Sequence, residues 1–166
     1  SYLITGNNSG LIQIIKSDEM FFLNLKDITD NFKINSFTVI DNSLYVSSSE
    51  GLFDIDLENK LIKDRYYNIG EGGNTIEILD SKIINDSLYV VTDKNIYSIS
   101  IESNLLDFNL WRNKNLGLTD IKGMFIKNEK IYFYSDQSIF NNNGEVVYEQ
   151  EDTDIEQVLI YNLETH

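Results

Sequence analysis

The stretch Phe37-Thr38-Val39-Ile40-Asp41-Asn42-Ser43-Leu44-Tyr45-Val46-Ser47-Ser48-Ser49-Glu50-Gly51-Leu52-Phe53-Asp54-Ile55-Asp56-Leu57 decides the fold. Phe37 to Ile40 has the β-branched and aromatic content of a strand, and Asp41-Asn42-Ser43 that of a turn. Leu44 to Ser48 reads as the next strand and Ser49-Glu50-Gly51 as the next turn. Leu52 to Leu57 alternates apolar and polar, as a strand with one buried face must. Glu58-Asn59-Lys60 turns again, and Leu61 to Tyr67 closes the unit. Four strands joined by tight turns make one blade of a propeller.

The unit recurs. Tyr2, Tyr45, Tyr89 and Tyr132 are 43, 44 and 43 residues apart, and Phe53, Tyr97 and Phe140 follow in step. A period of about 40–50 residues with several strands per unit is the mark of a propeller. In the third repeat Ile76 to Ile84 is the expected first strand and Asn85-Asp86-Ser87 the turn. Leu88 to Thr92, the turn Asp93-Lys94-Asn95 and Ile96 to Ile101 follow, with Leu105 to Trp111 as the outer strand. Asn95 stands where Gly51 stood, and both residue types accept positive φ, so the same turn is expected at both. The fourth repeat runs Met124 to Ile126, a turn over 127–130, Ile131 to Ser135, Ser138 to Asn141, the hairpin signal Asn142-Asn143-Gly144 and an outer strand Glu145 to Tyr148. Ile155 to Tyr161 opens a further unit. The first repeat begins at Tyr2, continues through Gly10 to Ile14 and lacks the strand before Tyr2. Leu25, Ile28 and Phe32, with Asp27 and Asp30 opposite, give residues 24–35 a partly helical pattern.

The expected fold is therefore all-β, a β-propeller of four-stranded antiparallel blades with a repeat of about 43 residues. The expected divisions are a partial blade at 1–35, blades at 36–75, 76–120 and 121–154, and the first strand of a next or closing blade at 155–166. The final segment could complete the first repeat and close a four-bladed ring. A slice of a larger ring, of about seven blades, is the favoured reading.

Composition narrows the function. The 166 residues carry 13 Lys and Arg against 27 Asp and Glu, a formal charge of −14, which repels phosphate backbones and anionic lipid. There is no Cys, so no disulfide or thiolate site, and the single His is His166, which argues against a His-based triad or His-rich metal centre. Proline is absent, so turns rest on Asn, Asp, Ser and Gly. No run of about 18 apolar residues is long enough for a transmembrane helix.

Individual motifs have plain structural explanations. Asp54, Asp56 and Glu58 alternate as a candidate calcium-ligand set, but lack the loop spacing and central Gly of an EF-hand, and the solvent face of a strand is the expected explanation. Glu71-Gly72-Gly73-Asn74 is a glycine-rich loop without the dinucleotide fingerprint. Arg65-Tyr66-Tyr67 and Trp111-Arg112 fall 44 residues apart (Tyr67 to Trp111) and have hot-spot composition, with packing between blades the favoured role. Asn7-Asn8-Ser9 and Asn142-Asn143-Gly144 are loop tips able to hydrogen-bond sugars but first of all turns. Sialidase Ser-x-Asp-x-Gly boxes and the Gly-His and Trp-Asp pairs of WD repeats are missing. No catalytic residue, metal ligand or cofactor site is assigned, and an enzyme is not expected.

Three segments carry a family resemblance. They are Leu3 to Ile14 (LITGNNSGLIQI), Glu50 to Leu57 followed by Ile62 to Gly70 (EGLFDIDL, IKDRYYNIG), and Asn104 to Trp111 (NLLDFNLW). In that order they resemble the N-terminal propeller of PorZ-type components of the type IX secretion system of Bacteroidota. They are also similar to the two-component-regulator propeller repeats of that phylum's sensors. Asn95 in place of the usual Gly and Arg65 in place of a common Thr are departures. The resemblance implies a non-catalytic scaffold at the cell surface, outer membrane or periplasm. It implies other proteins of a cell-envelope secretion complex as partners, with glycan or glycolipid as a further partner class. The alternative it implies is a ligand- or glycan-sensing propeller of a two-component sensor; a propeller hydrolase or lyase is the third reading.

Overall fold

The computed structural model describes residues 2–17, 19–25, 32–70 and 75–149. Strands β1 (Leu3–Gly6), β2 (Leu11–Lys16) and β3 (Glu19–Asn24) form one antiparallel sheet. β4 (Ile34–Ile40), β5 (Ser43–Ser48), β6 (Gly51–Asp56) and β7 (Leu61–Tyr66) form the second. β8 (Asp80–Ile84), β9 (Ser87–Val91), β10 (Ile96–Ser100) and β11 (Arg112–Asn113) form the third, and β12 (Gly123–Lys127), β13 (Lys130–Tyr134), β14 (Ser138–Asn141) and β15 (Val146–Glu149) the fourth. Each strand pairs with the next in sequence, which makes every sheet a meander and every sheet one propeller blade.

The turns explain why proline is dispensable. Asn85 and Asp86 have φ of 48° and 56°, and Asn128 and Glu129 of 49° and 57°. Two successive left-handed residues give the type I′ turn whose twist matches the flanking strands. The carbonyls of Asn42 and Asp86 then accept from the backbone N–H groups of Leu57 and Ile101, each at the end of the third strand of its own blade (2.8 and 3.0 Å). At the opposite end a hydroxyl governs the β5–β6, β9–β10 and β13–β14 turns. Ser48, Thr92 and Ser135 stand 44 and 43 residues apart. Their Oγ atoms accept from Glu50 N (3.1 Å), Asn95 N (2.9 Å) and Ser138 N (3.0 Å).

Three expectations are corrected. Gly51 has φ of 107°, and a Cβ there would lie 2.6 Å from the Tyr66 carbonyl. Asn95 is not among the residues with positive φ, because the Thr92 hydroxyl organises that turn and the Asn95 carboxamide oxygen accepts from Asn113 Nδ2 at 3.0 Å. The first strand of the third blade begins at Asp80 rather than Ile76. Before it, Ile78 N donates to Ser48 O of the preceding blade (2.9 Å). The outer strand of that blade is Arg112–Asn113, not Leu105 to Trp111. There Asp107 caps a 3-10 turn, Phe108–Leu110, by accepting from Asn109 N. β3 is a strand the motif reading did not identify. The segments 155–161 and 71–74, and residues 26–31 within 24–35, lie outside the described residues.

Between blades the core divides into three seams. Ile12 and Ile14 meet Leu44, Val46, Phe53 and Ile55 in the first. Tyr45, Leu52 and Tyr66 meet Ile78, Leu88, Val90, Tyr97, Ile99 and Trp111 in the second. Val91 and Ile96 meet Met124, Ile131 and Phe133 in the third. Alternation along β5 sends Leu44 and Val46 one way and Tyr45 the other, so both faces of a middle blade are buried. Polar bonds between the second and third blades run alongside. Asn35 Nδ2 donates to Ile78 O (2.8 Å), Thr38 Oγ1 to Ser81 O, and Ser47 Oγ to Ser81 Oγ (3.1 Å). Asp80, 6 % exposed, accepts from Ser81 N and Lys82 Nζ through Oδ1 and from Met124 N of the next blade through Oδ2 (3.0 Å).

Asp80→Ala strips partners from buried Met124 N–H and Ser81 N–H, and should cost on the order of 2 kcal/mol. A fall in the urea midpoint at unchanged m-value is the expected reading. Gly51→Ala forces a Cβ into the Tyr66 carbonyl at a left-handed φ and should cost roughly 1–3 kcal/mol in the same experiment.

Candidate interaction surface

The motif residues separate into buried and exposed groups. On β7, Tyr66 enters the second seam, 5 % exposed, while Tyr67 beyond it is 43 % exposed. Arg65 points to the other face. Its Nε donates to Glu50 O and its Nη2 to Glu50 Oε2, both at 2.9 Å. Its guanidinium lies 5.4 Å from the Phe53 ring and 5.1 Å from the Tyr67 ring. Two aromatic rings and a bidentate acidic partner fix the side chain, and the unit Glu50–Phe53–Arg65–Tyr67 makes a rigid, half-buried patch beside the β5–β6 turn.

Trp111 enters the same seam as Tyr66, and its indole N–H donates to Leu105 O (3.0 Å). The two motifs do not superpose, however. Arg65 lies opposite Phe53, whereas the residue opposite Tyr97 is Asn113. Residues 101–110 lengthen the third blade before its outer strand, so a 44-residue spacing misaligns the outer strands. Tyr66 and Trp111 pack between blades, whereas Tyr67, which the spacing pairs with Trp111, is exposed.

The acidic triplet is dispersed. Asp54 is 1 % exposed on the seam face of β6. Its Oδ2 accepts from Tyr66 OH (3.1 Å) and lies 3.5 Å from Lys63 Nζ, while Oδ1 has no hydrogen-bond partner. Asp56 accepts from the backbone N–H groups of Glu58 and Asn59 and so holds its turn, and Glu58 Oε2 accepts from Asn42 Nδ2. Among the described residues no group of three metal-ligating side chains converges. Asn7 Oδ1 accepts from Ser9 N and Leu11 N, and Asn141 Oδ1 from Asn143 N and Glu145 N, so both loop tips are side-chain-closed turns.

Two clefts flank the third seam at opposite ends of the strands. One, about 230 Å³, is lined by Asn95, Asn113, Asn115, Leu116, Leu118 and neighbours. The other, about 350 Å³, is lined by Asn85, Tyr89, Glu129, Lys130, Asn142 and neighbours. The first lies below the usual size of ligand pockets and the second at its lower end, and amides and apolar side chains are prominent in both linings.

A family model described as the type IX secretion system PorZ N-terminal β-propeller domain matches residues 3–112. The chain belongs to the PorZ N-terminal β-propeller family. The solved PorZ of Porphyromonas gingivalis, described as an essential surface component of that system, superposes with a TM-score of 0.70 at 21% identity, over 90% of this chain. The chain spans 20% of that protein's length. The extracellular domain of a hybrid two component system of B. thetaiotaomicron, BT3049, gives 0.61 at 13% identity, over 83% of this chain and 19% of that one. The WD40 β-propeller domain of Doa1 gives 0.60 at 16%, over 81% and 43%. At these identities the likeness is one of fold. No curated protein matches the chain. Among the described residues no helix is long and apolar enough to cross a membrane.

The tyrosines of the second seam make its pH response calculable in sign. Burial, and then the charge of Asp54, push the Tyr45 phenol up to about 12 from its ordinary 10.0. Burial raises Tyr66 too, followed by the charge and hydrogen bond of Asp54. A phenol raised in the folded state favours folding fully below the unfolded value and loses that contribution as pH climbs through the folded one. Stability should therefore hold up to pH 10 and fall steadily above it. Phenolate absorbance should rise in two phases, the delayed one coincident with loss of near-ultraviolet dichroism. Tyr45→Phe should remove part of that alkaline slope; an unchanged slope would count against the seam as its source.

Proposed function

We propose that this propeller is a non-catalytic interaction scaffold of a cell-surface or periplasmic secretion complex, binding other proteins of the envelope. The observation that carries the reading is the family match over residues 3–112, whose described role is in the type IX secretion system. The surface supports it. Its charged side chains are committed to turns and seams in many places, as with Asp56, Asp80 and Arg65. The exposed aromatic and aliphatic residues, by contrast, lie on outer strands and blade faces, where they can reach another macromolecule. The acidic surface, −14 over the chain, favours partners with basic patches and raises their rate of encounter at low salt.

A sensing role is the second reading, and the likeness in fold to the B. thetaiotaomicron extracellular domain is what favours it. Capture of the full-length parent from its own cell envelope, followed by mass spectrometry, separates the two. Recovery of outer-membrane secretion components is the expected result. Recovery of the bait alone, with soluble glycans raising its melting temperature, would replace the scaffold with the sensor.

A further inference from the structure

The outer strands of the four blades present unequal edges. β7 carries Lys63, Asp64 and Arg65, and its register slips opposite Asp54 and Ile55. β11 is two residues long. β15 is four residues long, and its pairing slips between Ile139 and Phe140. Lysines, bulges and shortness are the devices by which sheets protect an edge from further pairing. β3 has none of them. Its six residues, Glu19-Met20-Phe21-Phe22-Leu23-Asn24, pair with β2 in unbroken register and include no Lys, Arg, Gly or Pro.

Which of its backbone groups face away from β2 follows from the ladder. Leu25 N donates to Gly10 O at 2.8 Å, which makes that pair hydrogen-bonded; alternation then assigns Leu23, Phe21 and Glu19 to β2. Met20 and Phe22 accordingly turn N–H and C=O away from the sheet. Their side chains are 56 % and 53 % exposed, in register with Ile15 and Gln13. An outer strand keeps this edge at the end of its sheet, apart from the faces that adjoining blades cover.

We propose that the β3 edge is a strand-addition site that takes an extended, net basic segment of a partner protein with alternating apolar residues. The proposal rests on the scaffold reading and deepens it. The outward amides of Met20 and Phe22 call for a β-strand, and the exposed side chains call for apolar residues at alternate positions of that strand. Charge chooses among strands. A second copy brings another −14 to the edge and is repelled, whereas a lysine-bearing segment is attracted.

The test measures binding of a labelled octapeptide alternating valine and lysine to the full chain, by fluorescence anisotropy, with a valine–glutamate peptide alongside. Phe22→Ala and Phe22→Pro both delete the ring, but only the second removes the outward N–H, on the side away from β2 where an edge strand tolerates proline. The valine–lysine peptide should bind, and F22P should bind it about tenfold more weakly than F22A. Met20→Lys, an exposed change that leaves the backbone intact, should also weaken binding and serves if F22P fails to fold. Equal binding to F22P and F22A, undiminished binding to M20K, or equal binding of the glutamate peptide would overturn the proposal. So would an edge-to-edge dimer in sedimentation that M20K abolishes. If envelope capture by the M20K parent still recovers the wild-type partners, the edge is wrong and the scaffold stands. If the wild-type parent captures none, the scaffold itself fails.

Discussion

The seam between consecutive blades is the constraint on which everything else depends. A four-stranded sheet of this size cannot bury both faces by itself, and each middle blade here has apolar side chains on both. Leu44 and Val46 share a cluster with Ile12 and Ile14 of the blade before, and Tyr45 and Leu52 with Ile78, Leu88 and Val90 of the blade after. Apolar contact alone would let adjacent sheets slide. The hydrogen bonds from Asn35 to Ile78, Thr38 to Ser81 and Met124 to Asp80 prevent this, because each ties a first strand to the next blade at an offset of one repeat. Hydrophobic burial supplies the larger share of the stabilisation, and these bonds supply the register.

Inside the blade, the same division holds between bulk and direction. The turns are closed by groups that need no particular neighbour in another blade: the hydroxyls of Ser48, Thr92 and Ser135, and the left-handed Asn and Asp residues. A blade can therefore form its three inner strands locally and meet its neighbours already shaped. Asp54 is the exception, a carboxylate carried into the second seam with one oxygen bonded to Tyr66 and the other without a partner. It lowers the apolar character of a seam lined mainly by aliphatic and aromatic side chains, and its charge adds to burial in raising the phenol pKa of Tyr45 and Tyr66.

What could be read from the sequence was what recurs. Of the tyrosines at 43 to 44 residue intervals, Tyr45, Tyr89 and Tyr132 occupy the second strand of their blades and Tyr2 immediately precedes β1, and the Asn- and Asp-rich turns follow strand twist. The hydroxyl series Ser48, Thr92 and Ser135 was legible in the same way but was overshadowed by the Gly51–Asn95 comparison, which assumed that equivalent positions share a backbone conformation. Two kinds of information were not legible. Bonds such as Asp80 to Met124 depend on how blades stack, which no periodicity within a blade encodes. The shift of the third outer strand to Arg112–Asn113 arises from extra residues between β10 and β11, and a fixed spacing applied to Tyr67 and Trp111 could not register them. The patch around Arg65 was named from composition, yet its partner Glu50 emerged only from the fold, since fifteen residues separate them.

The outer strands diverge for a physical reason. Second and third strands each have a hydrogen-bonded neighbour on both sides, and first strands carry the hydrogen bonds to the adjoining blade, so a change in length or register in any of them is felt twice. An outer strand has a neighbour on one side only. Its lengths across the four blades, six, six, two and four residues, show how loosely it is held to the repeat. Selection acting on binding is least opposed by folding at this position. The residues that distinguish one blade from another at the rim, Met20 and Phe22 against Lys63 and Arg65, are thus where a repeated fold can acquire a particular partner, while the seams that repeat most faithfully carry the architecture.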